Sequence, residues 1–107
     1  MNPSFEVLMK NSYITQDYMH IPKYFYEHLP ESHSTTVLHY DGEPWFMKIN
    51  MGKRRWFKDG WKYFLMNNNI KWGWLINFEL VEITQFCVIF QLHVTGRVTL
   101  QDPVEIN

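Results

Sequence analysis

Six of the ten lysines and arginines in this chain fall within fifteen residues: Lys48, Lys53, Arg54, Arg55, Lys58 and Lys62, with Asp59 the only acid among them. The same stretch, MGKRRWFKDGWKYF from Met51 to Phe64, interleaves them with aromatic side chains. Such a cluster makes and breaks no bonds. Its chemistry is attraction for anions, with lysine acting as a point charge and arginine as a planar fork that matches an oxyanion or a base edge. A run such as Lys53-Arg54-Arg55 is equally what a solvated loop looks like, and a short basic motif alone does not separate the two readings. The chain as a whole carries 10 Lys+Arg against 11 Asp+Glu, a net charge of −1. That excludes a uniformly basic surface and leaves room for a local patch, because association follows the distribution of charge as well as its sum.

Other chemistries lack their constellations. His20, His28, His33, His39 and His93 are scattered, no pair stands at zinc-ligand spacing, and Cys87 has no cysteine partner, so neither a metal nor an internal disulfide is expected. Serine, histidine and aspartate occur without local arrangement for nucleophilic catalysis, and no glycine-rich phosphate loop is present. The expectation is therefore a non-enzyme with no cofactor and no small-molecule substrate. Cys87 lies in a strand pattern, where packing is a better reading than reactivity. No apolar run approaches the roughly 20 residues of a membrane helix, and the N-terminal MNPSFEVLMKNSY lacks a basic segment followed by an apolar one. No membrane partner and no secretory leader are expected.

The elements that must position the basic stretch are mostly strands. At 107 residues, 46% hydrophobic and 18% aromatic, the chain reads as one domain with a real core. Period-two alternation puts Phe5, Val7 and Met9 on one face, then Trp45, Met47 and Ile49, then Trp74, Ile76, Phe78 and Leu80, then Phe86, Val88, Phe90, Leu92 and Val94. The segment STTVLHYDG alternates less cleanly and closes on the turn signal Asp41-Gly42, and Gln85 lies in a turn between the last two strands. Two short helices interrupt the strands. One begins at Pro22 and ends by Pro30, with Phe25 and Leu29 on one face. The other carries Trp61, Phe64 and Leu65 at i, i+3, i+4, with Asp59 as its expected cap, a tolerated Gly60, and Asn67–Asn69 at its end. About seven strands in so short a chain predict a closed or nearly closed barrel, since closure removes sheet edges. The basic stretch is then a loop leading into a short strand around Trp56–Phe57.

Four pieces in order, FEVLMK…SYITQDYMHIPKYFYEHLP, TVLHYDGEPWFMKI, WFKDGWKYFLMNNNIKWGWLINFELV and FCVIFQLHV, resemble a plant B3 DNA-binding domain, and within it the reproductive-meristem subgroup. The most specific are IPKYF and GWKYFLMNNNIKWG, the latter similar to the family pattern GW-x-x-F-(V/L)-x-x-N-x-L-x-x-G. The resemblance covers residues of about 5 to 94, which leaves 95–107 as a tail to a single B3-like domain over 1–107. It implies a mainly β, seven-stranded open pseudobarrel with two short flanking α-helices. It also implies double-stranded DNA held in the major groove by an N-arm, here about Asn11 to Asp17, and a C-arm, here about Asn50 to Arg55. Nuclear localisation, a role in transcription regulation and pairing with other B3 chains are implied in the same way. The chain departs from the pattern in Gly73-Trp74 where Gly-Asp is usual, in Lys58-Asp59 where a Thr or Ser cap is common, and in a short N-arm whose single acid is Asp17.

On that resemblance the C-arm site is Asn50, Lys53, Arg54, Arg55 and Lys58. Arginine can pair with guanine O6 and N7 together, so Arg54 or Arg55 is expected on a base, and Lys53 and Lys58 on phosphates. Strand alternation makes it improbable that the two arginines share one role. The N-arm site is Lys10 at its base with Asn11, Ser12, Tyr13, Thr15 and Gln16. Asn and Gln suit adenine, and the hydroxyls suit phosphates; an ordinary polar turn, with Tyr13 or Ile14 packed on the barrel, is the other reading. Trp45, Trp56, Trp61, Phe64, Trp72 and Trp74 suit core packing better than base stacking, with one ring of Trp72 and Trp74 left exposed. Two further functions compete. A B3-fold protein–protein interaction module with weak or no DNA binding is favoured by the near-neutral charge and by the acids Glu79, Glu82, Asp102 and Glu105 against the lone Arg97 after Lys71. A restriction-endonuclease recognition domain rests on fold analogy alone.

Overall fold

The computed structural model of the chain describes residues 1–97. In chain order the elements are β1 (Ser4–Leu8), α1 (Asn11–Thr15), β2 (Tyr18–His20), a 3-10 segment (Lys23–His28), β3 (Thr35–Tyr40), β4 (Glu43–Met51), β5 (Arg55–Lys58), α2 (Trp61–Asn67), β6 (Trp74–Ile83) and β7 (Val88–Arg97). The seven strands form one sheet in the order β1-β6-β7-β3-β4-β5-β2. Every pairing is antiparallel except β3 with β7. The sheet curls into the expected mainly β pseudobarrel, and it stays open between its edge strands β1 and β2. Strand β7 runs to Arg97, three residues into the expected tail; residues 98–107 lie outside the described part of the chain.

Alternation works because one face of each strand is inward. Phe5, Val7, Met9, Met47, Ile49, Ile76, Phe78, Leu80, Val88, Phe90 and Leu92 are all buried, while Trp45, Trp74 and Val94 pack half-buried against them. Phe86 is the exception at 77% exposure, because β7 starts only at Val88 and Phe86 sits in the turn. The core is aromatic: Phe5 stacks on Phe78 at 4.8 Å, Phe57 on Phe78 at 5.7 Å, and Trp61 on Phe57 at 6.0 Å. Such pairs add to the burial of their large surfaces. The buried polar side chain Thr36 is satisfied, its hydroxyl donating to the Val88 carbonyl at 2.7 Å across the parallel pair. The β6–β7 pairing skips Val81 and Thr95, irregularities of the kind that bend a sheet.

Asp41 (φ 53°) and Gly42 (φ 80°) make the β3–β4 turn, with both central residues at positive φ as a two-residue hairpin demands. Three local expectations are corrected. The segment after Pro22 is a 3-10 helix of six residues: Phe25 N–H bonds to the Pro22 carbonyl and Leu29 N–H to that of Tyr26, the i to i+3 closure of the tighter winding. Helix α2 is capped at Gly60, not Asp59, and neither supplies a side-chain bond. Both sit at positive φ in the turn out of β5, which delays the helix by one residue. Gly60 is required rather than tolerated: at φ 142° a Cβ would lie 2.9 Å from Met47 Cβ and 3.0 Å from the Phe46 carbonyl oxygen.

Candidate nucleic-acid interface

Strands β4 and β5 are a hairpin in register Met51↔Arg55 to Lys48↔Lys58, and the basic stretch is its tip. Asn50 does not face outward as a free reader: its side-chain amide donates to the Arg54 carbonyl at 2.9 Å and braces the tip. Lys53 and Arg54 are exposed. Arg55 turns the other way. Its Nη1 donates to the Pro30 carbonyl at 3.2 Å, its guanidinium lies 5.1 Å from the Tyr26 ring centre, and its Nε is buried without a partner. Its backbone N–H also donates to the Tyr26 hydroxyl at 2.8 Å. Neighbouring arginines on a strand entrance thus take opposite sides, one committed to the protein and one whose side chain has no hydrogen-bond partner among the described residues.

Lys58 stands directly across the ladder from Lys48, a like-charge pairing that is unfavourable unless an anion relieves it. Among the described residues the ion pairs within 4 Å are His28–Glu27 and His93–Glu79. The lysines and arginines of the basic stretch therefore lack a carboxylate partner there.

The stretch expected as the N-arm is not a loop. Residues Asn11–Thr15 form the one-turn helix α1, with Tyr13 N–H bonded to the Lys10 carbonyl at 3.0 Å and the Thr15 hydroxyl donating back to the Asn11 carbonyl at 3.0 Å. Tyr13 and Ile14 pack half-buried against the core. The arm is tied to α2 twice. The fully buried Trp61 donates its indole N–H to the Tyr13 carbonyl at 2.9 Å. The Asp17 carboxylate accepts from Lys62 N–H at 2.8 Å and Gly60 N–H at 3.4 Å, and so serves as the cap that Asp59 does not provide. Lys10, Ser12, Thr15 and Gln16 are exposed. Lys10 and Tyr13 share a recess with His20, whereas Asn11 borders a different one, against Leu65, Ile70 and Trp72.

The stretches expected as the two arms join one short ladder at its two ends. The N-arm leads into Tyr18, which pairs with Lys58, and the C-arm leads into Arg55, whose carbonyl accepts from Ile21 N–H at 2.9 Å. At about 3.3 Å per residue the ladder from Tyr18 to Ile21 is roughly 10 Å long, and Lys10 and Tyr13 fold back along it to share a recess with His20, Ile21 and Pro22. Met19 and Phe57 point into the core, so the outer face of the ladder between the arms carries Tyr18, His20, Trp56 and Lys58. Tyr18, His20 and Trp56 are absent from the site expected from the sequence, and Trp56, expected to pack in the core, is instead half-buried on this outer face because Phe57 takes the inward position. A three-residue strand is too short for alternation to show, and only the outward neighbours of buried Met19 and Phe57 reveal them. Lys23 and Tyr26 join Lys53 and Arg54 at the C-arm end, brought there by the 3-10 segment.

No three of His, Cys, Asp and Glu gather to hold a metal ion among the described residues. Among the described residues one carboxylate is clearly perturbed: Glu79 on β6 is held below the ordinary carboxylate range by hydrogen bonds from the Asn2 amide at 2.9 Å and from His93 Nε2 at 2.9 Å.

The fold has solved relatives. A hypothetical Arabidopsis thaliana protein superposes with TM-score 0.73 at 21% identity, over 91% of this chain and 93% of that one. The protein of the Arabidopsis FUS3–DNA complex superposes with TM-score 0.57 at 18% identity, over 86% and 97%. No curated protein sequence matches the chain. The family model of the B3 DNA binding domain matches residues 5–94, a family of binding domains rather than enzymes, and the chain therefore belongs to the B3 DNA binding domain family.

Proposed function

We propose that this domain binds double-stranded DNA in the major groove, its N-arm and C-arm gripping the groove from the two ends of the β2–β5 ladder, as the DNA-binding part of a nuclear plant transcription regulator of the reproductive-meristem type. The observation that carries the reading is the pairing of geometry and charge. The two stretches read as arms flank one short ladder, and the cations on and beside it have no internal carboxylate partner among the described residues. Lys10, Lys53 and Lys58 neutralise phosphates, and Arg54 presents its fork to a guanine edge. Ser12 and Tyr13 meet phosphates and Gln16 suits adenine, whereas Thr15, whose hydroxyl proton goes to the Asn11 carbonyl, and Asn11, which borders the other recess, shape the arm. Arg55 and Asn50 act from behind by holding the C-arm in shape. The solved complex of a similarly folded chain with DNA supports the reading.

Duplex binding measured across a salt series tests it. Each phosphate neutralised contributes about −0.9 to the slope of log affinity against log salt, so four contacts give roughly −4. Lys53→Ala should weaken all duplexes alike and flatten that slope by about one. Sedimentation of the complex reads whether a second B3 chain joins it. If the domain shows no salt-sensitive duplex binding, and a triple Lys53/Arg54/Lys58→Ala variant behaves identically, the interaction-module reading replaces this one.

A further inference from the structure

Between the two arms the outer face is not simply cationic. Tyr18, His20, Trp56 and Arg54 line one recess. The three rings form an edge-on series, with Tyr18 to His20 at 5.5 Å and 78°, and His20 to Trp56 at 5.6 Å and 64°. His20 and Trp56 are cross-strand partners, so the series is fixed by the ladder rather than by loop conformation. These rings face away from the core that Met19 and Phe57 fill, and the core does not account for them. Arg54 enters the recess from the C-arm tip, positioned by the Asn50 bond to its carbonyl. Its side chain makes no hydrogen bond among the described residues.

Resting on the major-groove reading above, we propose that this recess receives the C5-methyl group of a pyrimidine standing next to a guanine that Arg54 reads. The C5-methyl is the apolar feature that a major groove presents, and side chains recognise it by apolar contact. Phosphates call for cations and base edges for hydrogen-bonding groups. The ring carbons of Tyr18, His20 and Trp56 offer apolar contact, which suits a methyl group, while their polar tips leave room for a neighbouring base edge. The arginine at the mouth of the recess sets the neighbouring base, because its two parallel donors fit guanine O6 and N7. Thymine and 5-methylcytosine carry the same methyl at the same place, and both are covered by this chemistry.

The experiment uses the domain and the duplex it prefers from a random pool, with affinity read by fluorescence anisotropy. Each thymine beside a guanine is replaced by deoxyuridine, which removes the methyl and leaves the pairing edge intact. Each cytosine beside a guanine is replaced by 5-methylcytosine. The expected result is one sensitive position, where loss of the thymine methyl weakens binding about fourfold or gain of the cytosine methyl strengthens it about fourfold, the size of burying one such group. The first outcome assigns thymine and the second methylated cytosine. In His20→Ala and in Trp56→Leu the difference should shrink below twofold while the salt slope stays as in the wild type. His20 is exposed, so its variant keeps the test valid if the Trp56 variant misfolds. Steep salt-dependent binding with no methyl-sensitive position overturns this inference alone, as does a sensitivity that survives His20→Ala. Absence of salt-dependent duplex binding overturns the reading on which it rests.

Discussion

Arg54→Ala and Arg55→Ala should fail in different ways, although the residues are neighbours of one chemical type. Truncating Arg55 removes a charged hydrogen bond to the Pro30 carbonyl and the cation held 5.1 Å from the Tyr26 ring centre. Those interactions are worth about 1.5–3 kcal/mol and about 0.5–1 kcal/mol. The same truncation relieves the buried, unpartnered Nε, a penalty of about 1–3 kcal/mol. Because the residue is only half-buried, a net loss of about 1–2 kcal/mol is expected. For a domain of this size that lowers Tm by roughly 5–15 °C. The backbone bond from Arg55 N–H to the Tyr26 hydroxyl survives the substitution, so the C-arm keeps its course and affinity changes little. Arg54→Ala removes an exposed side chain, with stability changing by no more than about 0.5 kcal/mol. On the preferred duplex it should cost about 1–3 kcal/mol, or roughly 5- to 150-fold. Arg54→Lys should keep the salt slope and lose selectivity, since it retains the charge without the fork. Thermal melts and anisotropy titrations on the three variants decide the matter. If Arg54→Ala melts low and binds normally while Arg55→Ala melts normally and binds poorly, the assignment of the two side chains is wrong.

Asp17→Ala should destabilise the domain by about 0.5–2 kcal/mol through the loss of the α2 cap, and Asp17→Asn should recover most of it; urea unfolding with an unchanged midpoint in the alanine variant would contradict the capping role. Gly60→Ala should cost about 3 kcal/mol or more, because positive-φ strain adds to a clash with strand β4 that neither backbone can relieve cheaply; a variant that expresses and melts like the wild type would refute this. Glu79, whose folded pKa is depressed by Asn2 first and His93 second, contributes stability present above the unfolded carboxylate pKa and lost as pH falls through the lower folded value. Asn2→Ala should therefore raise the Glu79 midpoint in a carboxyl NMR titration, and an unmoved midpoint would show that the Asn2 bond is not made in solution.

The sequence by itself determined the inward face of almost every strand. Burial imposes a period of two on a strand, and Phe5-Val7-Met9 or Ile76-Phe78-Leu80 cannot satisfy it any other way. It also located the basic stretch, the Asp41-Gly42 turn and the buried face of α2, each a local signal written in adjacent residues. What only the tertiary structure decided depends on contacts between distant parts of the chain. Asp17 caps a helix that begins more than forty positions later. Pro30 and Tyr26 withdraw Arg55 and leave Arg54 free. The β2–β5 ladder sets Tyr18 and His20 beside Trp56. Composition and spacing record what a residue can do. Which of those capacities remains available is decided by the neighbour that folding brings to it, and for Arg54 and Arg55 that neighbour is the whole difference.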